Sequence, residues 1–286
     1  MAADILSKIQ NQMHGFSKGQ KLIGGYILEA YDKAAFMTAS KLGKTVHVSE
    51  STVVRFAVEL GYEGYPEMQK TLQELVRNKL TSVQRIEVAS DRIGKQDVVS
   101  SVLQADIDSI RRTGESIDRG EMAASVEAVQ KARTIYILGA RSSAVLASYL
   151  NFYFRNFFDN VRLVSPGATS ELFEQLLRVG EGDVVIGISP PRYSSSTVKV
   201  MQYAHDAGAT VIAITDNPDA PAGKVADHVL VAKSDMVSVV DSLVAPMSVI
   251  SALVVSVAQE RKSEVVKTFE DLEHIWEEYE VYERVE

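Results

Sequence analysis

From Thr134 onward the chain repeats one pattern: a short apolar run, a turn signal, then a helical segment. The runs are TIYIL (134–138), VRLV (161–164), DVVIGI (183–188), TVIAIT (210–215) and HVLVA (228–232). Runs this rich in Val and Ile leave little polar face for water. They fit strands buried on both sides of a parallel sheet, covered by the helices between them. Right-handed crossovers then predict a doubly wound, five-stranded α/β layer. Before Thr134 no strand pattern occurs. Up to about Leu80 the periodicity is helical, with turn signals at Gly15–Gly19, Val46–Val48 and Gly61–Pro66. The stretch from Leu80 to about Ala132 is helical, polar and rich in Ser and Asp, so it reads as a linker followed by one or two lead-in helices. The expected fold is therefore α + α/β. An all-helical domain occupies residues 1–80, a helical linker 81–107, and the α/β domain 108–286, ending in an acidic helix with the only tryptophan, Trp276, docked by its apolar side.

The formal charge of −8 is uneven, at +2 over residues 1–80 and −10 over the rest. Any contact with a polyanion is thereby expected on the N-terminal piece, although a solvated face gives the same count. The 286 residues include no cysteine, which excludes disulfides and thiolate zinc sites and fits a reducing cytoplasm. The N-terminus lacks the basic-then-apolar order of a signal peptide. One segment, Val237 to Ala258, approaches membrane length, but it contains Asp241, Pro246 and several serines. It reads as a buried helix of a soluble core, at an oligomer interface or within the fold, and no membrane association is expected.

Within the helical domain, TASKLGKTVHVSESTVVRFAVELG (Thr38–Gly61) has the spacing of a helix-turn-helix. Thr38 and Ser49 can cap two successive helices. Val53, Phe56, Ala57 and Leu60 recur at i, i+3, i+4 and i+7, which makes a core-facing stripe on the second helix. Gly43 falls where the helices would cross, His47 in the turn, and Val53 where an apolar plug is needed. His tolerates the left-handed backbone such a turn requires. In such a motif the second helix meets the major groove by its N-terminal end. Ser49, Glu50, Ser51, Thr52 and Arg55 then form the reading face, with Thr38 on the first helix. Hydroxyls and helix N-termini suit phosphates, and the Arg fork suits a guanine edge or a phosphate. An ordinary helical hairpin with a solvated face fits the same spacing.

In an open parallel sheet, ligands bind beyond the carboxyl ends of the strands. Two loops there are rich in donors: GARSS (139–143) after the first run and SPPRYSSST (189–197) after the third. Both place serine hydroxyls and main-chain N–H groups at a helix start, where the dipole favours an anion. Simple helix capping uses the same residues, so the pattern leaves capping and anion binding open.

Taken together, VSESTVVRFAVELGYEGYPEMQ, ILGARSSAVLA, GDVVIGISPPRYSSST and GATVIAITDNPDAPAGKVADHVL resemble the RpiR (MurR/RpiR) family of bacterial transcriptional regulators. That family joins an N-terminal helix-turn-helix to a sugar isomerase (SIS) domain, and the resemblance spans nearly the whole chain. It implies a homo-oligomer, dimer or tetramer, that binds operator DNA and senses a phosphorylated sugar or sugar acid. Repression is the commoner sign of regulation, and some members activate. By position, Ser143 matches a phosphate-contacting hydroxyl, with Ser142 beside it. Ser189 opens the second phosphate loop, and Ser194, Ser195, Ser196 and Thr197 close it. Family loops run closer to Ser-x-Ser-Gly-x-Thr. Here Pro190, Pro191, Arg192 and Tyr193 replace the middle, and Arg192 can either add charge to the site or face solvent.

A SIS fold can also serve an aldose–ketose isomerase, which needs a general base near the sugar's reacting carbons. Glu171, His205, His228 and Asp241 are candidates, and none sits in a catalytic signature. Regulators of this family generally lack that base, so binding without turnover is expected, with no catalytic residue, metal or cofactor. A structural or partner-binding SIS module with no ligand is the third reading.

Overall fold

The computed structural model describes residues 5–79, 83, 84, 86, 97–234 and 240–283, and the main division of the chain into two compact units falls between Asp97 and Val98. The first unit is helical: α1 Ile5–Gln12, α2 Lys18–Ala34, α3 Ala39–Thr45, α4 Glu50–Glu59 and α5 Tyr65–Lys79. Local signals start several of these helices. Ser17 and Gln20 form a reciprocal capping box at α2, and Thr38 and Ser49 accept main-chain N–H groups at α3 and α4. The apolar stripes meet in one core built on Ile9, Ile23, Ile27, Leu42, Val53, Phe56, Ala57, Met68 and Leu72. Burying each Ile, Leu, Val or Phe contributes on the order of 1.5–3 kcal/mol. Polar bonds fix the packing. The Tyr65 hydroxyl and Gln69 Nε2 both donate to Met37 O at 2.7 Å, and burial pushes the Tyr65 pKa up to about 12.

The second unit begins with α6 Val98–Ser116 and α7 Arg119–Lys131. It continues through β1 Ile135–Gly139, α8 Ser143–Phe154, β2 Val161–Leu163, α9 Thr169–Gln175, β3 Val184–Ile188, α10 Ser195–Asp206, β4 Thr210–Thr215, β5 His228–Val231, α11 Val244–Glu260 and α12 Lys262–Glu278. The five strands are all parallel, in the order β2-β1-β3-β4-β5. This is the expected doubly wound layer, and the alternation of side chains explains why its strands read as unbroken apolar runs. Ile135, Ile137, Val184, Ile186, Ile188, Ile212 and Ile214 pack under α7, α8 and α11 on one face. Tyr136, Leu138, Val185, Val211 and Ala213 pack under α9 and α10 on the other. Asp183 closes the edge before β3. Burial pushes its pKa up, but the Arg133 guanidinium and the Gly180 N–H outweigh this and hold the carboxyl below its ordinary value.

Helix α6 runs without a break across residues 107 and 108, where the sequence placed the junction of linker and domain, and much of 81–97 lies outside the described residues. Of the segment Val237 to Ala258, expected as a buried helix, residues 237–239 lie outside the described residues and the helix, α11, begins only at Val244; its inner face is Ala245, Pro246, Val249, Ile250, Leu253, Val254 and Val257. Among the described residues, no helix is long and apolar enough to cross a membrane. The terminal helix differs from expectation. Only Val265 and Phe269 pack against the core, none of its residues is buried, and Ile275 is 50% exposed.

Candidate functional site

The sequence-predicted site residues fall into two groups, one in each unit. In the first unit, α3 and α4 join through Val46–Ser49, and the geometry follows from two positions. His47 adopts φ 57°, the left-handed backbone needed for a turn this tight. Gly43 lies so close to the turn that a Cβ built on it would sit 2.8 Å from Val48 O and 3.4 Å from Glu50 N. Only glycine permits that approach. Val53 is fully buried as the plug. At the exposed start of α4, Ser49 Oγ accepts the Thr52 N–H and lies 2.9 Å from Ser51 Oγ and 2.8 Å from Thr52 Oγ1. Arg55 Nε donates to Ser51 O at 3.3 Å, so the guanidinium stands one turn from the helix start, beside these hydroxyls. Glu50 is exposed in the first turn, and Thr38 Oγ1 caps α3 through the Lys41 N–H at 3.2 Å. The site reading overlooked Lys41 and Lys44, exposed cations on α3. Their signal was present in SKLGK, because the first helix of such a pair crosses the phosphate backbone.

In the second unit the register decides what meets. Gly139, the last residue of β1, pairs with Ile188, the last of β3. The loops carrying Ser142–Ser143 and Ser189–Thr197 therefore leave neighbouring strands at the same level. Strand order reverses at this pair, since β1 leads to β2 on one side and β3 lies on the other. That is the crevice position for a ligand in a doubly wound sheet.

The two loops differ in how their hydroxyls are engaged. Ser142 is exposed and makes no capping bond, while Ser143, the first residue of α8, is 5% exposed. Among the described residues no partner is present for the Ser143 hydroxyl. In the second loop Ser189 is buried; its Oγ accepts the Ser194 N–H at 3.3 Å, and its carbonyl accepts Thr215 Oγ1–H at 2.9 Å. Ser194 caps α10 through the Thr197 N–H and shares a bond with Ser196 Oγ at 2.9 Å. Thr197 is buried, while Ser195 and Arg192 are exposed. Tyr193, which replaces part of the usual loop, donates its hydroxyl to Asp216 Oδ1 at 2.9 Å, beyond the end of β4. Lys233, beyond the end of β5, donates Nζ–H to Asp216 O at 2.8 Å. The sequence reading missed Asp216 and Lys233, which no local motif marks.

The candidate bases fall mostly elsewhere. His205 ends α10 beside Asp206 and Asp227, and His228 opens β5 with Nδ1 3.2 Å from Glu121 Oε2. Both sit at the amino edge of the sheet, opposite the serine loops. Glu171 Oε2 accepts the Ala168 N–H at 3.1 Å and serves the start of α9. Asp241 lies in the segment between β5 and α11. Among the described residues no His, Cys, Asp and Glu cluster could hold a metal ion.

Family models match both units: the helix-turn-helix domain of the rpiR family over residues 3–79, and the SIS domain over residues 128–256. An uncharacterized HTH-type transcriptional regulator of Haemophilus influenzae is 28% identical over 234 residues, which is 80% of each chain. The HTH-type transcriptional regulator HexR of Escherichia coli is 26% identical over 213 residues, 74% of this chain and 72% of HexR. Among solved structures, the NanR protein of Vibrio vulnificus complexed with ManNAc-6P shares the fold with a TM-score of 0.59 at 21% identity, covering 95% of this chain and 97% of NanR.

Proposed function

The chain belongs to the RpiR family of helix-turn-helix transcriptional regulators with a SIS domain, and from that premise we propose that it is a sugar-phosphate-responsive repressor. The DNA-binding part is residues 1–80. Thr38, Ser49, Ser51 and Thr52 meet phosphates or base edges, Arg55 reads a guanine or a phosphate, and Glu50 can accept from cytosine. The effector's phosphate sits between the two serine loops, held by Ser142 and Ser143 on one side and by Ser189, Arg192, Ser194, Ser195, Ser196 and Thr197 on the other. Residues 108–286 carry that site and the contacts of a cytoplasmic homo-oligomer, and 81–107 joins the two parts.

The observation that carries this reading is the pairing of Gly139 with Ile188, which aligns both loops at the switch point of the sheet. Capping does not compete with anion binding here. A hydroxyl has one donor and two acceptor sites, so Ser194 can accept the Thr197 N–H and still give its proton to a phosphate. Among the described residues, the Ser143 hydroxyl is spent on nothing else. Turnover finds less support than binding, because His205 and His228 lie at the wrong edge of the sheet and Glu171 is engaged at a helix start.

The test is fluorescence anisotropy on labelled DNA from upstream of the gene, at two salt concentrations, with a panel of amino-sugar, pentose and sugar-acid phosphates. Tight, salt-sensitive binding that one phosphosugar releases is expected, with Arg55→Ala weakening it. Turnover of a phosphosugar with no DNA binding would instead make the chain an isomerase with an accessory helical domain.

A further inference from the structure

Helix α6 carries polar side chains where its packing calls for apolar ones. Asp106, Ser109 and Thr113 follow one another at i, i+3 and i+7, so they share one face. Ser109 is fully buried and Thr113 is 5% exposed. Two of the three reach across to the segment that leaves β5. Thr113 Oγ1 accepts the Lys233 N–H at 2.9 Å while its own hydrogen goes to Ser109 O at 2.8 Å. Asp106 Oδ1 accepts Ser242 Oγ–H at 2.5 Å, roughly 10 Å further along the helix axis. Ser242 O in turn accepts Ser234 Oγ–H at 3.1 Å. Apolar side chains at these positions would hold α6 against α11 without such a pattern. The polar stripe instead bonds α6 to the carboxyl edge of the sheet.

Lys233 is the junction. Its main-chain N–H goes to Thr113, and its ammonium goes to Asp216 O at 2.8 Å. The Asp216 carboxylate receives the Tyr193 hydroxyl at 2.9 Å. Three hydrogen bonds therefore lead from the second serine loop to α6, whose first residue, Val98, opens the second unit. We infer that Thr113 and Lys233 couple the effector cleft to the helix that leads back to the DNA-binding part. The inference rests on the regulatory reading above and names how its signal leaves the site. A ligand that displaces Tyr193 shifts Asp216 and Lys233, and through Thr113 changes the seat of α6. The relay requires that an occupied cleft hold Lys233 differently from an empty one, which is the differential contact that coupling needs.

The experiment compares full-length wild type, Thr113→Val and Thr113→Ser, with Ser242→Ala as an independent variant at the second contact. The probe is whichever of glucosamine 6-phosphate, ribose 5-phosphate and 6-phosphogluconate most raises the wild-type melting temperature. Two quantities are read: affinity for that probe, and the ratio of DNA affinities without and with it. Coupling of this kind spans roughly 5–150-fold. Thr113→Val is expected to keep probe affinity and cut the DNA-affinity ratio to less than about a third of its wild-type value, a change on the scale of a single coupled contact. Thr113→Ser, which keeps the acceptor, restores the ratio, and Ser242→Ala lowers it. Should Thr113→Val fail to fold, the Ser242→Ala ratio decides alone. An unchanged ratio in the variants beside a responsive wild type overturns the relay and leaves the sensor standing. A loss of probe affinity as large as the loss of ratio also overturns it, since Lys233 would then belong to the site and transmit nothing. A wild type whose DNA affinity no probe alters removes the sensor reading and the relay with it.

Discussion

Gly139→Ala tests the geometry of the effector cleft, because two arguments give opposite signs. By backbone preference alone, alanine should be better in a strand, by roughly 0.5–1 kcal/mol. The structure opposes this. A Cβ at Gly139 would lie 2.8 Å from Ser143 C, 3.2 Å from Ser143 Cβ and closer still to Ser143 O. Carbon–carbon contacts are comfortable at about 3.5–4.0 Å, so the first turn of α8 must move by roughly 1 Å. The obstacle is main chain at a helix start and cannot rotate away. Overpacking of this kind costs about 1–3 kcal/mol, and the severity of the clash places it near the top of that range. After subtracting the backbone gain, the net destabilisation is about 2 kcal/mol, a fall of about 4–8 °C in the melting temperature of a domain this size. The same shift carries Ser143 out of register with the second loop. Scanning calorimetry with and without a saturating phosphosugar reads both effects. Ligand at a hundred times its dissociation constant stabilises wild type by about 2.7 kcal/mol, and in Gly139→Ala that increment should vanish. A variant that melts at or above wild type, with its ligand shift intact, would refute the argument that α8 starts where it does because residue 139 has no side chain.

The same logic applies to the helix-turn-helix, where Gly43→Ala gains about 1 kcal/mol of helix preference against about 1–3 kcal/mol of overpacking on Val48 O. Its expected signature is a small stability loss with a larger loss of DNA affinity by anisotropy, since the clash falls on the turn that aims α4. Ser143→Ala and Ser194→Ala should separate, the first losing phosphosugar affinity at nearly unchanged stability, the second losing about 1 kcal/mol of stability with its cap; equal behaviour in titration and melting would contradict the difference in their partners. Tyr65 sets an alkaline limit. Its folded pKa of about 12 lies above the unfolded value near 10, so its contribution is whole below pH 10 and is lost as pH rises through about 12. Urea titrations across that window should show stability falling with pH in wild type, and a flatter profile in Tyr65→Phe.

The sheet was legible because burial on both faces writes itself into sequence as unbroken apolar runs. The five runs match β1 to β5, although β2 shortens to three residues at the edge, where less packing sustains it. The helix-turn-helix was legible for the opposite reason. Its geometry hangs on two residues with unusual backbone demands, Gly43 and His47, and those demands show in single letters. The cleft was half legible. Serines at helix starts announce themselves, but Asp216 and Lys233 adjoin the second loop through bonds to residues far away in the chain. Lys233 meets Thr113 across 120 positions, and no local pattern encodes such a partner. The polar stripe on α6 was visible as composition, rich in Ser and Asp, yet composition did not say which way the stripe faced. The terminal helix shows the same limit from the apolar side. The acidic stretch with Trp276 read as a helix docked by its apolar side, but an apolar side records only that a face prefers burial. Whether a partner surface exists is a property of the assembled fold, and in this chain that surface ends near Phe269.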